Sequence, residues 1–171
     1  MVLFRKNFVS RFFSLIPLLI LFFLAFSETD FNFEKLSFLS FNLIYIVIFY
    51  WVLKKPDILG YGFIFLAGIV NDVVIGLPIG VSSVTYLILA GFAAYTRSLT
   101  VQPSLIYDWI AFVPSIAVTN SVYFYILGIF FDIQINYITL ALNTGITILF
   151  YPVIGILFSF LANIIIKEKN V

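Results

Sequence analysis

The chain has 171 residues, 63% hydrophobic and 10% charged, with a formal net charge of +1 and a mean hydropathy of +1.17. A water-soluble domain of this length cannot cover so much apolar surface, so lipid is the expected solvent; at roughly 20 apolar residues per crossing, the chain holds at most about six spans. Cys and His are both absent, which excludes disulfides, thiolate nucleophiles, imidazole acid–base chemistry and Cys/His metal centres, and the near-neutral charge without a Lys/Arg run excludes a nucleic-acid partner.

Taken in order, the apolar runs predict an all-α polytopic bundle forming one domain over 1–171, with transmembrane helices at about 9–26, 36–53, 58–75, 79–96, 106–131 and 137–166. Barrel strands would be about ten residues long with alternating polarity, and these runs are longer and apolar on every side. In the first, Arg5, Lys6 and Arg11 precede Phe12–Phe26 as in a signal peptide. Ser27-Glu28-Thr29-Asp30 offers no small-x-small cleavage site, so the segment reads as an uncleaved span.

The second run ends in Tyr50-Trp51 and then Lys54-Lys55-Pro56-Asp57, the pattern of an aromatic and basic interface anchor stopped by proline. The short connection predicts that helices 2 and 3 are antiparallel neighbours. Helix 3 carries Gly60, Gly68, Asp72 and Gly76 at multiples of four, a stripe of small residues on which another backbone can come close. Helix 4 has a small patch of its own at Ala90, Gly91, Ala93 and Ala94. Between them, Gly76-Leu77-Pro78 places a glycine after the end of helix 3 and a proline at the first position of helix 4.

Asp72 is the one acid read as lying well inside a span, where a charged group costs up to about 3 kcal/mol and needs a partner. Two arrangements would provide one. The free amides at the start of helix 4 can hold the carboxylate as a local cap, or Asp72 and Asn71 can receive a donor from a partner or ligand. The loop 97–108 holds Arg97, Gln102, Pro103 and Asp108 beside the interface aromatics Tyr107 and Trp109, and resembles no phosphate-binding or catalytic loop. Helix 5 bears Pro114 and Thr119-Asn120-Ser121, and helix 6 bears Asn143-Thr144-Gly145 and Pro152; each Asn is expected to bond between helices, and helix 6 to tilt or bend at Pro152. The 22 Phe residues read as lipid-facing bulk.

With a single intramembrane acid there is no carboxylate dyad, and no enzyme, cofactor or metal site is expected. The stretch Gly68-Ile69-Val70-Asn71-Asp72 followed by Gly76-Leu77-Pro78-Ile79-Gly80 resembles the signature of the rod-shape-determining membrane protein MreD family, with Tyr50-Trp51, Pro56-Asp57 and Arg97 adding to the likeness over about 50–97. The resemblance implies a non-enzymatic scaffold in the bacterial inner membrane. Such a scaffold binds an MreC-like single-span protein and connects MreB filaments indirectly with the peptidoglycan polymerase RodA and its transpeptidase partner. Gly68, Asn71, Asp72, Gly76, Pro78 and Gly80 would be its partner-binding or structural motif. The family is also similar in its six-helix architecture to the substrate-binding subunits of energy-coupling-factor vitamin transporters, which supplies the alternative reading. Against that alternative, the run Phe12–Phe26 has no small-xxx-small pair for docking a transporter core, and the outer loops are too short for a ligand lid.

Orientation follows from the cations. With both termini cytoplasmic, the inner segments hold Arg5, Lys6, Arg11, Lys54, Lys55, Arg97, Lys167 and Lys169, leaving only Lys35 outside with Glu28, Asp30, Glu34 and Asp132. Reporter fusions at Val171 and within 28–35 are expected to give cytoplasmic and periplasmic signals respectively; a periplasmic Val171 would defeat the six-span topology.

Overall fold

The computed structural model describes residues 15–27, 41–100, 104–131 and 136–169, with side chains to Asn163 in the last segment. Within them the chain is all helical: α1 Leu15–Phe26, α2 Leu43–Lys54, α3 Tyr61–Ile75, α4 Val81–Leu99, α5 Leu105–Phe131 and α6 Tyr137–Lys169. The charges at 5, 6, 11, 28, 30, 34, 35 and 132, on which the expected orientation rests, lie outside the described residues. Two helices are long and apolar enough to cross a membrane, α5 and the Tyr137–Asn163 part of α6.

The second helix departs most from the sequence reading. It begins at Leu43, because the side chain of Asn42 accepts from the Tyr45 amide at 3.2 Å and the Asn42 amide donates to Thr147 Oγ1 of α6 at 3.0 Å. The result is 12 residues, about 18 Å long, the length of a core helix rather than of a crossing. Every residue from Ile44 to Leu53 is buried. Tyr50 and Trp51 are therefore core aromatics and not the interface anchor expected of them.

Around α2 the aromatic rings form a connected cluster. Phe112 stacks on Tyr151 with centroids 4.5 Å apart, and Phe49 meets both edge-on at 5.1 and 6.0 Å. Phe158 packs on Tyr50 and Trp51. Part of the Phe content thus belongs to the core, while Phe23, Phe63, Phe65, Phe130 and Phe160 are exposed as expected. Rings at these separations add about 0.5–1.5 kcal/mol per pair beyond the area they bury.

The expected α2–α3 pairing is replaced by a different order: α3 packs on α4, and α4 packs on α2 and α5. Gly68 makes the α3–α4 contact possible, since a Cβ there would lie 2.4 Å from Ser83 Cα and 2.5 Å from its nitrogen. On α4, Ala90 and Ala93 are fully buried, whereas Gly91 faces open space. Gly60 precedes α3 as its N-cap and takes no part in the stripe.

In α6, Pro152 supplies no amide to the carbonyl of Ile148 four residues earlier. The indole N–H of Trp109 on α5 donates to that carbonyl at 2.8 Å instead. A backbone group deprived of its own partner is thereby satisfied from the neighbouring helix.

Gly68→Ala is expected to destabilise the bundle by about 1–3 kcal/mol through overpacking against Ser83 backbone. Gly91→Ala, with nothing within 4 Å of the added carbon, is expected to be neutral or to stabilise by about 0.5–1 kcal/mol. Thermal unfolding of the two purified variants checks the contrast, and equal losses would remove the close-approach role from Gly68.

Candidate functional site

Asp72 lies in the last turn of α3, fully buried. Helix α3 ends because Gly76 takes a left-handed conformation, φ 74°, with its amide and that of Leu77 both bonded to the Asp72 carbonyl. An L-residue with a side chain is disfavoured at such a φ, which explains the glycine at this place. The chain then passes through Leu77, Pro78 and Ile79 to Gly80, φ 106°, the N-cap of α4. Pro78 therefore sits in the turn and not at the first position of α4, which starts at Val81 with its amide 3.4 Å from the Pro78 carbonyl.

Gly80 has no side chain with which to cap the helix it precedes, and Asp72 does that work from the other side of the turn. Its Oδ2 accepts from the Gly80 amide at 2.7 Å, and its Oδ1 accepts from the Ser82 amide at 3.0 Å. A carboxylate that opposes the dipole of its own helix is thus placed on the positive end of the next. The local-cap arrangement is the one formed, and it leaves the carboxylate no exposed surface for an outside donor.

Adjacent residues tighten the same junction. Asn71 Nδ2 donates to Ser82 Oγ at 3.1 Å, and Ser83 Oγ donates to the Phe65 carbonyl at 2.9 Å. The structure therefore brings Gly68, Asn71, Asp72, Gly76, Pro78 and Gly80 together in one hairpin. Ser82 and Ser83 belong with them; two adjacent serines opening an apolar run directly after the turn were the signal for this.

A second charged group is buried at the other end of the bundle. Asp108, expected in an interfacial loop, lies in the first turn of α5 with 1% exposure, and Asp72 is consequently not the only buried acid. Lys54 Nζ, on a side chain 23% exposed, stands 2.6 Å from Asp108 Oδ2 as an ion-pair partner without hydrogen-bond alignment. Lys54 is thus a tertiary contact from α2 to α5, beyond the interface anchor read from sequence.

A cavity of about 190 Å³ lies at the end where α1 and α3 finish and α2, α4 and α6 begin. All six helices or their caps contribute to its wall, Asn71 and Ser82 among them. Asn120 Nδ2 crosses from α5 to Thr144 Oγ1 of α6 at 2.6 Å, the interhelical bond expected of it. Asn143 differs from expectation: its Oδ1 is buried with no hydrogen-bond partner. Comparison with protein-family models, curated proteins and solved structures yields no match for the chain.

Asp72→Asn keeps an acceptor and is expected to lower stability by about 1 kcal/mol, whereas Asp72→Ala strands two amides and is expected to lower it by about 2–3 kcal/mol. Asp108→Asn is expected to lower it by about 1–3 kcal/mol, with much of the loss recovered in Lys54→Met/Asp108→Leu, because removing both charges avoids leaving one unpaired. Equilibrium unfolding of the four variants checks these values; a double variant no better than Asp108→Asn would refute the pairing account.

Proposed function

We propose that this chain is a non-enzymatic membrane scaffold of the bacterial cell-elongation machinery, resembling MreD. It holds an MreC-like single-span protein and, through it, links MreB filaments to RodA-type peptidoglycan synthesis. The observation that carries the reading is the 68–80 pattern, whose residues meet in one hairpin in which Gly68, Asp72, Gly76 and Gly80 each have a stereochemical task. The hairpin also leaves α3 with an exposed apolar face that includes Phe63, Leu66 and Val73, a surface suited to lipid or to one further apolar helix. On this reading the spans are multiple and the termini cytoplasmic.

The polar cavity favours a second reading, a substrate-binding membrane subunit of an energy-coupling-factor type transporter, since such a subunit needs convergent polar groups at its outer end. The two readings differ in what accompanies the chain out of native membranes. A scaffold retains a single-span partner, and a transporter subunit retains an ATPase-bearing core.

Crosslinking pull-down of the full chain is expected to recover the MreC-like protein. Gly68→Leu, expressed at normal level, is expected to lose both that partner and rod-shaped growth, while Asp72→Asn is expected to keep them, its carboxylate being spent inside the hairpin. Retention of the partner and normal shape in Gly68→Leu would refute the scaffold role of the hairpin.

A further inference from the structure

We propose that the groove between α4 and α5, at the end of the bundle that carries Arg97, binds one anionic phospholipid, with an acyl chain in the groove and the phosphate on Arg97. The inference requires a membrane around the chain and is the same for a scaffold and for a transporter subunit. The groove is open, has a volume of about 600 Å³, and lies between the end of α4 and the Tyr107–Pro114 part of α5. That part of α5 is about 10 Å long, and the volume falls within the usual range for ligand sites, about 300–1,000 Å³.

The wall decides which part of a lipid fits. Leu99, Ile110, Ala111 and Pro114 present hydrocarbon. Thr96 and Thr100 also line the groove, but their hydroxyls donate to the Phe92 and Thr96 carbonyls at 2.9 and 2.8 Å, so their polarity is turned back onto α4. An acyl chain laid over these residues strands neither hydroxyl, the condition an apolar occupant must meet. A helix of another protein fits less well. Close approach of helices in a membrane needs small residues at the contact, whereas Leu99, Tyr107 and Ile110 are bulky and more than half exposed.

Arg97 decides the charge. It follows Thr96 of the wall in the last turn of α4 and is exposed. The partial negative charge at a helix C-terminus favours a cation here, but among the described residues none forms an ion pair or hydrogen bond with its guanidinium. No acid occurs in the sequence between Asp72 and Asp108. Asp72 is spent on the start of α4, and Asp108 is buried beside Lys54. The chain thus places a cation next to an apolar groove and withholds the counter-charge. A phosphate accepts paired N–H bonds from a guanidinium, and a phospholipid of net negative charge brings that phosphate together with the hydrocarbon that the groove takes.

The test uses the purified full chain in neutral detergent, with phosphatidylglycerol and phosphatidylcholine of identical acyl chains as probes and retained lipid counted by native mass spectrometry. One phosphatidylglycerol per chain is expected to be held at least about fivefold more tightly than phosphatidylcholine, the factor that one Arg near an anionic surface contributes. Arg97→Gln, at an exposed position, is expected to abolish that preference. Lys55→Gln, which removes a cation from the connection after α2 and outside the groove, is expected to leave it unchanged. Glycerol 3-phosphate, which has the phosphate without the chain, is expected not to compete. Equal retention of the two lipids would overturn the proposal, as would a preference that survives Arg97→Gln, an equal loss in Lys55→Gln, or competition by glycerol 3-phosphate. A photocrosslinker at Ile110 in native membranes is expected to capture phospholipid; capture of a polypeptide instead would assign the groove to a protein partner and overturn the lipid site.

Discussion

Two backbone amides at the start of α4 are bonded to one carboxylate at the end of α3, and this junction fixes how the chain reverses between the two helices. The turn is built from residues that cannot cap a helix themselves. Gly76 and Gly80 are present for their left-handed φ values, and Pro78 has no amide to donate. Asp72 meets the need that these residues leave open, and the turn in turn supplies the buried carboxylate with its donors. Each half of the arrangement would be unfavourable alone. Together they position Ser82 and Ser83 against α3, where the missing Cβ of Gly68 lets the two backbones nearly touch.

Much of this was readable in the residues. The six apolar runs, the stop at Gly76, the close approach at Gly68 and the option of an Asp72 cap all follow from short-range rules of spacing and backbone conformation. What the sequence concealed was which apolar surface is buried in the bundle and which is exposed. Ile44–Leu53 is apolar throughout, and such a segment looks the same in either surrounding because lipid and a helical core are equally apolar. Tyr50 and Trp51 accordingly resembled an interface belt and proved to be core.

Long-range polar pairings were hidden for a different reason. Lys54 and Asp108 each sit next to aromatic and loop residues that suggest an aqueous boundary, and only the packing of α2 against α5 brings them together. The carbonyl of Ile148 could be identified as orphaned from Pro152 alone, but nothing near it named Trp109 as the donor. The cavity is dispersed in the same way, one to three polar side chains from each helix or its cap, and no local window of sequence contains enough of them to signal a site.

The central position of α2 bears on how the molecule is made. A helix of about 18 Å falls well short of a hydrocarbon layer of about 30 Å, and both of its ends are secured by residues that come much later in the chain. Asn42 is held by Thr147 of α6, and Lys54 by Asp108 of α5. This segment therefore cannot complete its packing from its own neighbours in sequence. Its seat is completed only after the two longest helices have been synthesised, so the N-terminal half must wait for the C-terminal half, and a chain truncated before α5 would leave its own centre without a socket.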